Sequence, residues 1–299
     1  MTLTLEEVYR QGRQTLERAG VPDADFDSLL LTEHVFGADR TALILHGDRP
    51  ADGELCRRFF SLIDERCTGR PLQYMIGKWN FMGFDFLVGE GVLIPRDDTE
   101  VACEAALELA GKMDAPRIID LCSGSGAIAV TLGKLLPRAQ VTALELSDEA
   151  FSYLEKNIEL NGAKNVTPVK GDVASAYDDW EDGSFDLIVS NPPYIVTKQI
   201  DTLQRELAFE PRMALDGGED GLYFYRIITK YWGTKLRKGG YLVYETGEDE
   251  HEPVRDDMAE HGFVDIGYKL DLQGYKRATF GRQTSLFEKR LDEKLFKPF

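Results

Sequence analysis

Apolar residues recur at helical spacing through the first 70 positions, and the rhythm then changes. Leu5, Val8, Tyr9 and Leu16 fall near one face of a helix from Thr4 to Ala19. Phe26, Leu29, Leu30 and Val35 mark a second helix ending near Gly37, Arg40 to His46 a third, and Glu54 to Cys67 a fourth. Val21-Pro22 and Arg49-Pro50 punctuate them, so short loops join short helices into a small bundle. Gln73 to Asn80 and Gly83 to Val88 then read as two strands turning near Met82-Gly83, a hairpin joining two domains.

From about Asp97 strand and helix patterns alternate. Strands are expected at Arg117 to Leu121, Gln140 to Glu145, Val166 to Val169, Phe185 to Ser190 and Gly240 to Glu245. Helices are expected at Ala127 to Leu136, Asp148 to Asn161 and Leu222 to Leu236. Such alternation predicts an α/β fold, a mostly parallel sheet covered by helices on both faces. A final strand near Arg277 to Phe280 precedes a tail in which Phe287, Leu291 and Leu295 recur at helical spacing. The expected division is therefore 1–70 helical, 71–96 hairpin linker, 97–282 α/β domain and 283–299 tail.

Composition narrows the classes. With 43% apolar and 29% charged residues the chain can bury a core, and its 299 residues suit two domains. It has no run of 18 apolar residues, and the first residues lack the basic and apolar regions of a signal peptide, so a cytoplasmic protein without membrane contact is expected. A net charge of −17 repels phosphate backbones, which makes nucleic acid an unfavoured partner and suits a basic protein one. Cys56, Cys67, Cys103 and Cys122, with His34, His46, His251 and His261, form no metal-ligand spacing; free thiols and no metal are expected.

The chemistry is concentrated in two segments. In Asp120-Leu-Cys-Ser-Gly-Ser-Gly126 a hydrophobic strand ends in an acid, and a loop of Cys122, Ser123, Gly124, Ser125 and Gly126 opens a helix. Glycines let backbone approach a ligand at the carboxyl end of a parallel strand, a plan shared by NAD and nucleotide sites. The loop is neither a full G-x-G-x-x-G nor a P-loop. Glu145 ends the next strand about 20 residues on, where an acid accepts from a ribose diol. Asp172, followed by Val173, comes after the third strand and can accept from an adenine amino group. Together these favour an adenosine-bearing cofactor.

Asn191-Pro192-Pro193-Tyr194 directly follows the strand Phe185 to Ser190. Two prolines stiffen the backbone and remove two N–H donors, so carbonyls and the Asn191 side-chain oxygen can face a substrate NH2 as acceptors. Tyr194 offers a ring to a planar amide or base. An amide nitrogen is a poor nucleophile, because its lone pair is delocalised. Accepting its two hydrogens and aligning it with a sulfonium methyl about 3 Å away favours in-line transfer, without metal or covalent nucleophile.

Asp120 to Ala129 with Asn191 to Tyr194 resembles the class I amino-methyltransferases of DNA adenine, rRNA guanine and protein glutamine. Arg70-Pro-Leu-Gln-Tyr74 with Gly77, Val92 to Glu100 and Glu210 to Leu222 narrow the resemblance to the release factor glutamine methyltransferase family (PrmC, also called HemK), over nearly the whole chain to Arg282. The resemblance implies a five-helix N-terminal domain, a hairpin linker, and a Rossmann-like class I methyltransferase domain using S-adenosylmethionine; the separation of the N-terminal helices from the cofactor site points to substrate recognition by them. It implies as partner a class I peptide-chain release factor, methylated on the glutamine of its Gly-Gly-Gln motif. By position, Cys122 to Gly126, Glu145, Asp172, Val173 and Asn191 would hold the cofactor, and Asn191 to Tyr194 the glutamine amide. Cys122-Ser123 stands where Gly-Thr is common in the family, Glu145 where Asp is frequent, and the tail beyond Arg282 exceeds the usual end.

Rival readings diverge at specific residues. A nucleic-acid methyltransferase fits the same pocket but not the acidic balance. A ribosomal-protein glutamine methyltransferase shares Asn-Pro-Pro-Tyr, but Ile94-Pro-Arg-Asp-Asp-Thr-Glu100 fits the release factor branch better. A binding module without transfer is disfavoured by an intact Glu145 and Asn191 to Tyr194, and a dehydrogenase has no use for that segment.

Overall fold

A computed structural model describes residues 3–203 and 205–284. The chain divides into two compact units. The first comprises Met1–Trp79, Val88–Glu90 and Leu203–Glu210; the second comprises Asn80–Leu87, Gly91–Thr202 and Pro211–Phe299.

The first unit is built from α1 (Leu5–Arg18), α2 (Ala24–Phe36), α3 (Arg40–His46), α4 (Gly53–Cys67) and α5 (Leu72–Ile76). Thr4 opens α1 with a capping box: its hydroxyl accepts from Glu7 N, and the Glu7 carboxylate accepts from Thr4 N at 2.8 Å. Thr4→Ala removes this cap and should cost about 1 kcal/mol in a denaturant titration, with an unchanged midpoint counting against the box. Asp39 and Asp52 cap α3 and α4 in the same manner. Val8, Leu16, Leu31, Phe59 and Ile63 form the fully buried core. Inside the unit Arg66 pairs with Asp27 at 2.6 Å and also with Glu206, from the inserted segment. Burial pushes the Asp27 carboxyl up, and Arg66 opposes that shift.

The strand expected at Gln73 to Asn80 is only partly present. Leu72–Ile76 is a helix, started after Pro71 and ended by Gly77 in the left-handed region (φ 80°). Pairing begins at Lys78, in β1 (Lys78–Phe81), and continues in β2 (Phe84–Leu87). Met82 and Gly83, both at positive φ, form the turn, as primed hairpin turns require.

The second unit continues with α6 (Asp97–Ala110), β3 (Arg117–Leu121), α7 (Ala127–Leu135), β4 (Gln140–Glu145), α8 (Asp148–Asn161), β5 (Val166–Lys170), β6 (Phe185–Ser190), α9 (Thr197–Ile200), α10 (Tyr223–Tyr231), β7 (Leu236–Glu245), α11 (His251–Glu260), β8 (Phe263–Leu270) and β9 (Lys276–Gln283). Among the described residues one sheet runs in the order β5-β4-β3-β6-β7-β9-β8, parallel from β5 to β7, with β9 antiparallel to both its neighbours. Side chains alternate between its faces. Ile118, Leu187, Val189 and Val243 enter one core with α6 and α7; Ile119, Ile188, Leu242 and Tyr244 enter the other with α10 and α11. This is the α/β class expected. The helix expected from Leu222 to Leu236 is shorter: after Tyr231 a 3-10 turn, Trp232–Lys235, leads into the strand. The Trp232 indole N–H donates to Val173 O at 2.8 Å, deep in the core. The helical tail expected after Arg282 lies, from residue 285 on, outside the described residues. No helix among the described residues is long and apolar enough to cross a membrane.

Candidate active site

Strand order reverses between β3 and β6, and the crevice beyond the carboxyl ends of such strands is where open α/β sheets bind ligands. A cavity of about 380 Å³ lies there, within the second unit, in the size range of small-molecule sites.

The first wall is the loop after β3. Cys122, Gly124 and Gly126 all take positive φ (61°, 55° and 83°), which folds the loop tightly enough for Gly126 to start α7. Ser123 and Ser125 are buried within the loop and serve it rather than the cavity; the Ser123 hydroxyl donates to Asp120 O at 2.9 Å. Asp120 Oδ2 accepts from Ala129 N at 3.2 Å, and burial pushes its carboxyl up to about 7. Cys122 pays for its left-handed backbone, since its Cβ crowds the following carbonyl. Cys122→Val, with a branched Cβ in that region, should lose about 1–2 kcal/mol of stability, while Cys122→Gly should not. Equal denaturation midpoints for the two variants would show that the strain is absent.

Glu145, at the end of β4, closes the loop. Its Oε2 accepts from Gly124 N at 2.8 Å and its Oε1 from Ser147 N at 2.7 Å. Each oxygen keeps a further lone pair, so the carboxylate both shapes the glycine loop and offers acceptors to the cavity. Asp172 lines the cavity beyond β5, with Oδ1 accepting from Ala174 N at 2.8 Å. Leu144, Ala150 and Val173 supply apolar wall between these acids.

Asn191 and Pro193, which follow β6 on the other side of β3 from β4 and β5, also line the cavity. Pro192 is buried, and Tyr194 is half-buried, with its hydroxyl donating to Glu245 Oε1 at 3.3 Å. The Tyr194 ring, expected to face a substrate amide, is not part of the cavity wall. Ile195 N donates to Leu215 O, and Gly217 N to Ile195 O, both at 2.8 Å, which clasps this segment against residues 214–221. A Cβ on Gly217 would stand 2.6 Å from Tyr194 Cα, so glycine is what permits that approach.

The structure therefore gathers Cys122, Gly124, Glu145, Asp172, Val173, Asn191 and Pro193 around one cavity, and leaves Ser123, Ser125, Gly126, Pro192 and Tyr194 behind it. Residues to which the sequence gives no direct catalytic role also take part. Asn157 of α8, fully buried, donates to Ser125 O at 2.9 Å and to Leu87 O at 3.1 Å, tying the loop to the hairpin. Thr99 meets Asn191, and Glu245 meets Tyr194. Burial pushes the Glu245 carboxyl up to about 7, against Thr99, Arg277 and Tyr194, which favour its ionised form. Glu100 accepts from Met82 N at 2.8 Å and so holds the hairpin turn. These residues sit far apart in sequence and carry no pattern of their own, except that Thr99 and Glu100 close the Val92 to Glu100 segment.

Comparison with known proteins bears on this site. Residues 7–77 match the model of the PrmC N-terminal domain, and residues 97–219 match that of the methyltransferase small domain. The release factor glutamine methyltransferase of Geobacter sulfurreducens is 40% identical over 280 residues, 93% of this chain and 96% of that protein. The chain belongs to the release factor glutamine methyltransferase family. The relative from Clostridium botulinum is 34% identical over 94% of this chain and its own full length. Among solved structures, the hMettl16 catalytic domain in complex with the MAT2A 3'UTR hairpin 1 superposes with a TM-score of 0.54 at 16% identity, covering 81% of this chain and 85% of that one, which shows the class I methyltransferase fold.

Family and fold make the chain a methyltransferase that uses S-adenosylmethionine. The cavity fits that cofactor. Glu145 and Asp172 are acceptors suited to a ribose diol and an amino group, Leu144 and Val173 flank a space for a base, and a Cβ position on Gly124 meets nothing within 4 Å.

Proposed function

We propose that this chain transfers a methyl group from S-adenosylmethionine to the side-chain amide nitrogen of a glutamine in a peptide-chain release factor, the glutamine of the Gly-Gly-Gln motif in class I factors. The observation that carries the reading is the placement of Asn191 and Pro193 on the wall of the cavity whose other walls carry Gly124, Glu145 and Asp172. The whole-length relatives, named for release factor glutamine methylation, support the substrate.

When bound, the cofactor supplies an electrophilic methyl on a sulfonium. The chain supplies the rest. Glu145 and Asp172 accept from the adenosine part, and Cys122 to Gly126 shape the loop that admits it. The Asn191 side-chain oxygen, with the carbonyls around Pro192 and Pro193, accepts hydrogen bonds from both N–H groups of the incoming amide, which raises electron density on its nitrogen and aligns it for in-line attack; the nitrogen would take the methyl as the bond to sulfur breaks, leaving S-adenosylhomocysteine, and give up one proton to solvent. Tyr194, held by Glu245, fixes the backbone of that segment. The net charge of −17 favours a protein over a nucleic acid as acceptor, and the donor set calls for no metal. We assign residues 1–70 to substrate recognition, 71–96 to the linker, 97–282 to transfer and 283–299 to a tail of unassigned role.

The test is transfer of labelled methyl from S-adenosylmethionine to an unmodified release factor, beside a factor whose Gly-Gly-Gln glutamine is alanine. Label is expected in the first alone. Label in both, or in ribosomal protein or RNA instead, removes the proposed substrate.

A further inference from the structure

Two buried polar side chains stand behind Asn191; the function argued above uses one of them, Glu245, only to hold Tyr194, and gives Thr99 no role. Thr99, in the first turn of α6, is 5% exposed, and Glu245, at the end of β7, is 2% exposed. β6 and β7 are parallel and in register through Ser190 and Tyr244, so Asn191 and Glu245 leave the sheet side by side. Asn191 Nδ2 donates to Thr99 Oγ1 at 3.2 Å. The Thr99 hydroxyl is among the groups that favour the ionised form of the Glu245 carboxyl. Glu245 Oε1 accepts from the Tyr194 hydroxyl at 3.3 Å, and the buried Oε2 has no hydrogen-bond partner.

Donor and acceptor roles in this chain of contacts are set by chemistry. An ionised carboxylate only accepts, so its charge draws the Thr99 proton towards Glu245 and leaves the Thr99 lone pairs to accept from Asn191. An asparagine amide has two orientations of nearly the same shape, one presenting oxygen and one presenting NH2. A cavity-facing NH2 would oppose the NH2 of a substrate amide, donor against donor. With Nδ2 committed to Thr99, Oδ1 is the end left for the cavity that Asn191 lines.

We infer that Thr99 is a positioning residue for Asn191, holding its side-chain amide so that the oxygen faces the substrate NH2, and that Glu245 orients the Thr99 hydroxyl that does this. The inference rests on the proposed amide substrate for its purpose, but not for its geometry. Neither Thr99 nor Glu245 touches the reacting atoms.

Thr99→Val keeps the shape and removes the hydroxyl; Thr99→Ser keeps the hydroxyl. The full-length protein, labelled with nitrogen-15 and held in alkaline buffer where Glu245 is ionised, is read in the Asn191 side-chain amide signals. Thr99→Val is expected to shift that pair and speed its hydrogen exchange, and Thr99→Ser to restore it. In turnover, Thr99→Val should lower kcat roughly tenfold to hundredfold, the range seen when an outer partner of a functional side chain is removed. The dissociation constant for S-adenosylmethionine should stay within about twofold, because the Asn191 oxygen serves the acceptor amide. Glu245→Gln, a second variant of preserved shape, should disturb the same amide pair. Unchanged Asn191 signals in Thr99→Val, or a Thr99→Ser protein as defective as Thr99→Val, overturn the inference. A wild-type chain that methylates no release factor would count against the proposed substrate instead, while the amide spectrum still decides the role of Thr99.

Discussion

Asn191→Ala is expected to lower kcat for release factor methylation by about 10²–10³-fold, the cost of deleting one preorganised hydrogen-bonding group that acts on the transition state. Cofactor affinity should fall far less. Asn191 lines the cavity together with Pro193, Glu145 and Asp172, and its side chain is held by Thr99 at 3.2 Å. The oxygen it presents matters most as the amide nitrogen gives up its delocalisation, so the loss belongs in kcat and not in binding. Steady-state kinetics beside calorimetric cofactor titration checks this. Parallel losses in kcat and cofactor affinity would reassign Asn191 to the cofactor.

Gly217→Ala is the second large effect, and its cause is steric. The added methyl would sit 2.6 Å from Tyr194 Cα and 2.7 Å from the Tyr194 carbonyl carbon, distances that real Cβ atoms do not occupy. Both obstacles are backbone, so no side chain can swing aside. Residues 214–221 or the Asn191 to Tyr194 segment must move, which strains the Ile195–Leu215 and Gly217–Ile195 hydrogen bonds. A displacement near 1 Å at a reacting group costs on the order of 10²-fold in rate. Gly217→Ala should therefore lose about that much turnover while the folded content, read by far-ultraviolet circular dichroism, stays close to that of the parent. Gly221, whose added Cβ would meet Tyr194 O at 2.5 Å, should behave alike. Full activity in Gly217→Ala would mean that the clasp does not position the segment.

Much of the site was legible in the sequence because it is local. Asp120 to Gly126, Glu145, Asp172 and Asn191 each follow a hydrophobic run that reads as a strand, and parallel strands bring their carboxyl ends to one edge. The α/β class followed from the same alternation. What escaped depends on register and three-dimensional contact. Nothing in Gly240 to Glu245 says that its last residue will stand behind Tyr194; that requires β7 to pair with β6 at Ser190 and Tyr244. Asn157 reads as one polar residue of an amphipathic helix, yet it bridges the glycine loop and the hairpin. Leu72 to Ile76 is apolar enough for a strand, and only Pro71 before it and Gly77 after it hint at one helical turn. His251 to Glu260 carries few apolar residues to mark a helix, and although Val264 to Leu270 alternates apolar and polar residues as a strand does, its pairing beside β9 is tertiary. The left-handed backbone at Cys122 was equally invisible, since a cysteine announces no positive φ.

A cavity wall at Asn191 that presents acceptors to a glutamine side-chain amide fixes which atom receives the methyl. Fragmentation mass spectrometry of the release factor after incubation with the chain and S-adenosylmethionine locates the added methyl to one residue and one atom. One methyl is expected, on the side-chain nitrogen of the Gly-Gly-Gln glutamine. A methyl on a carboxylate, a lysine or an arginine, or on a different glutamine, would contradict it.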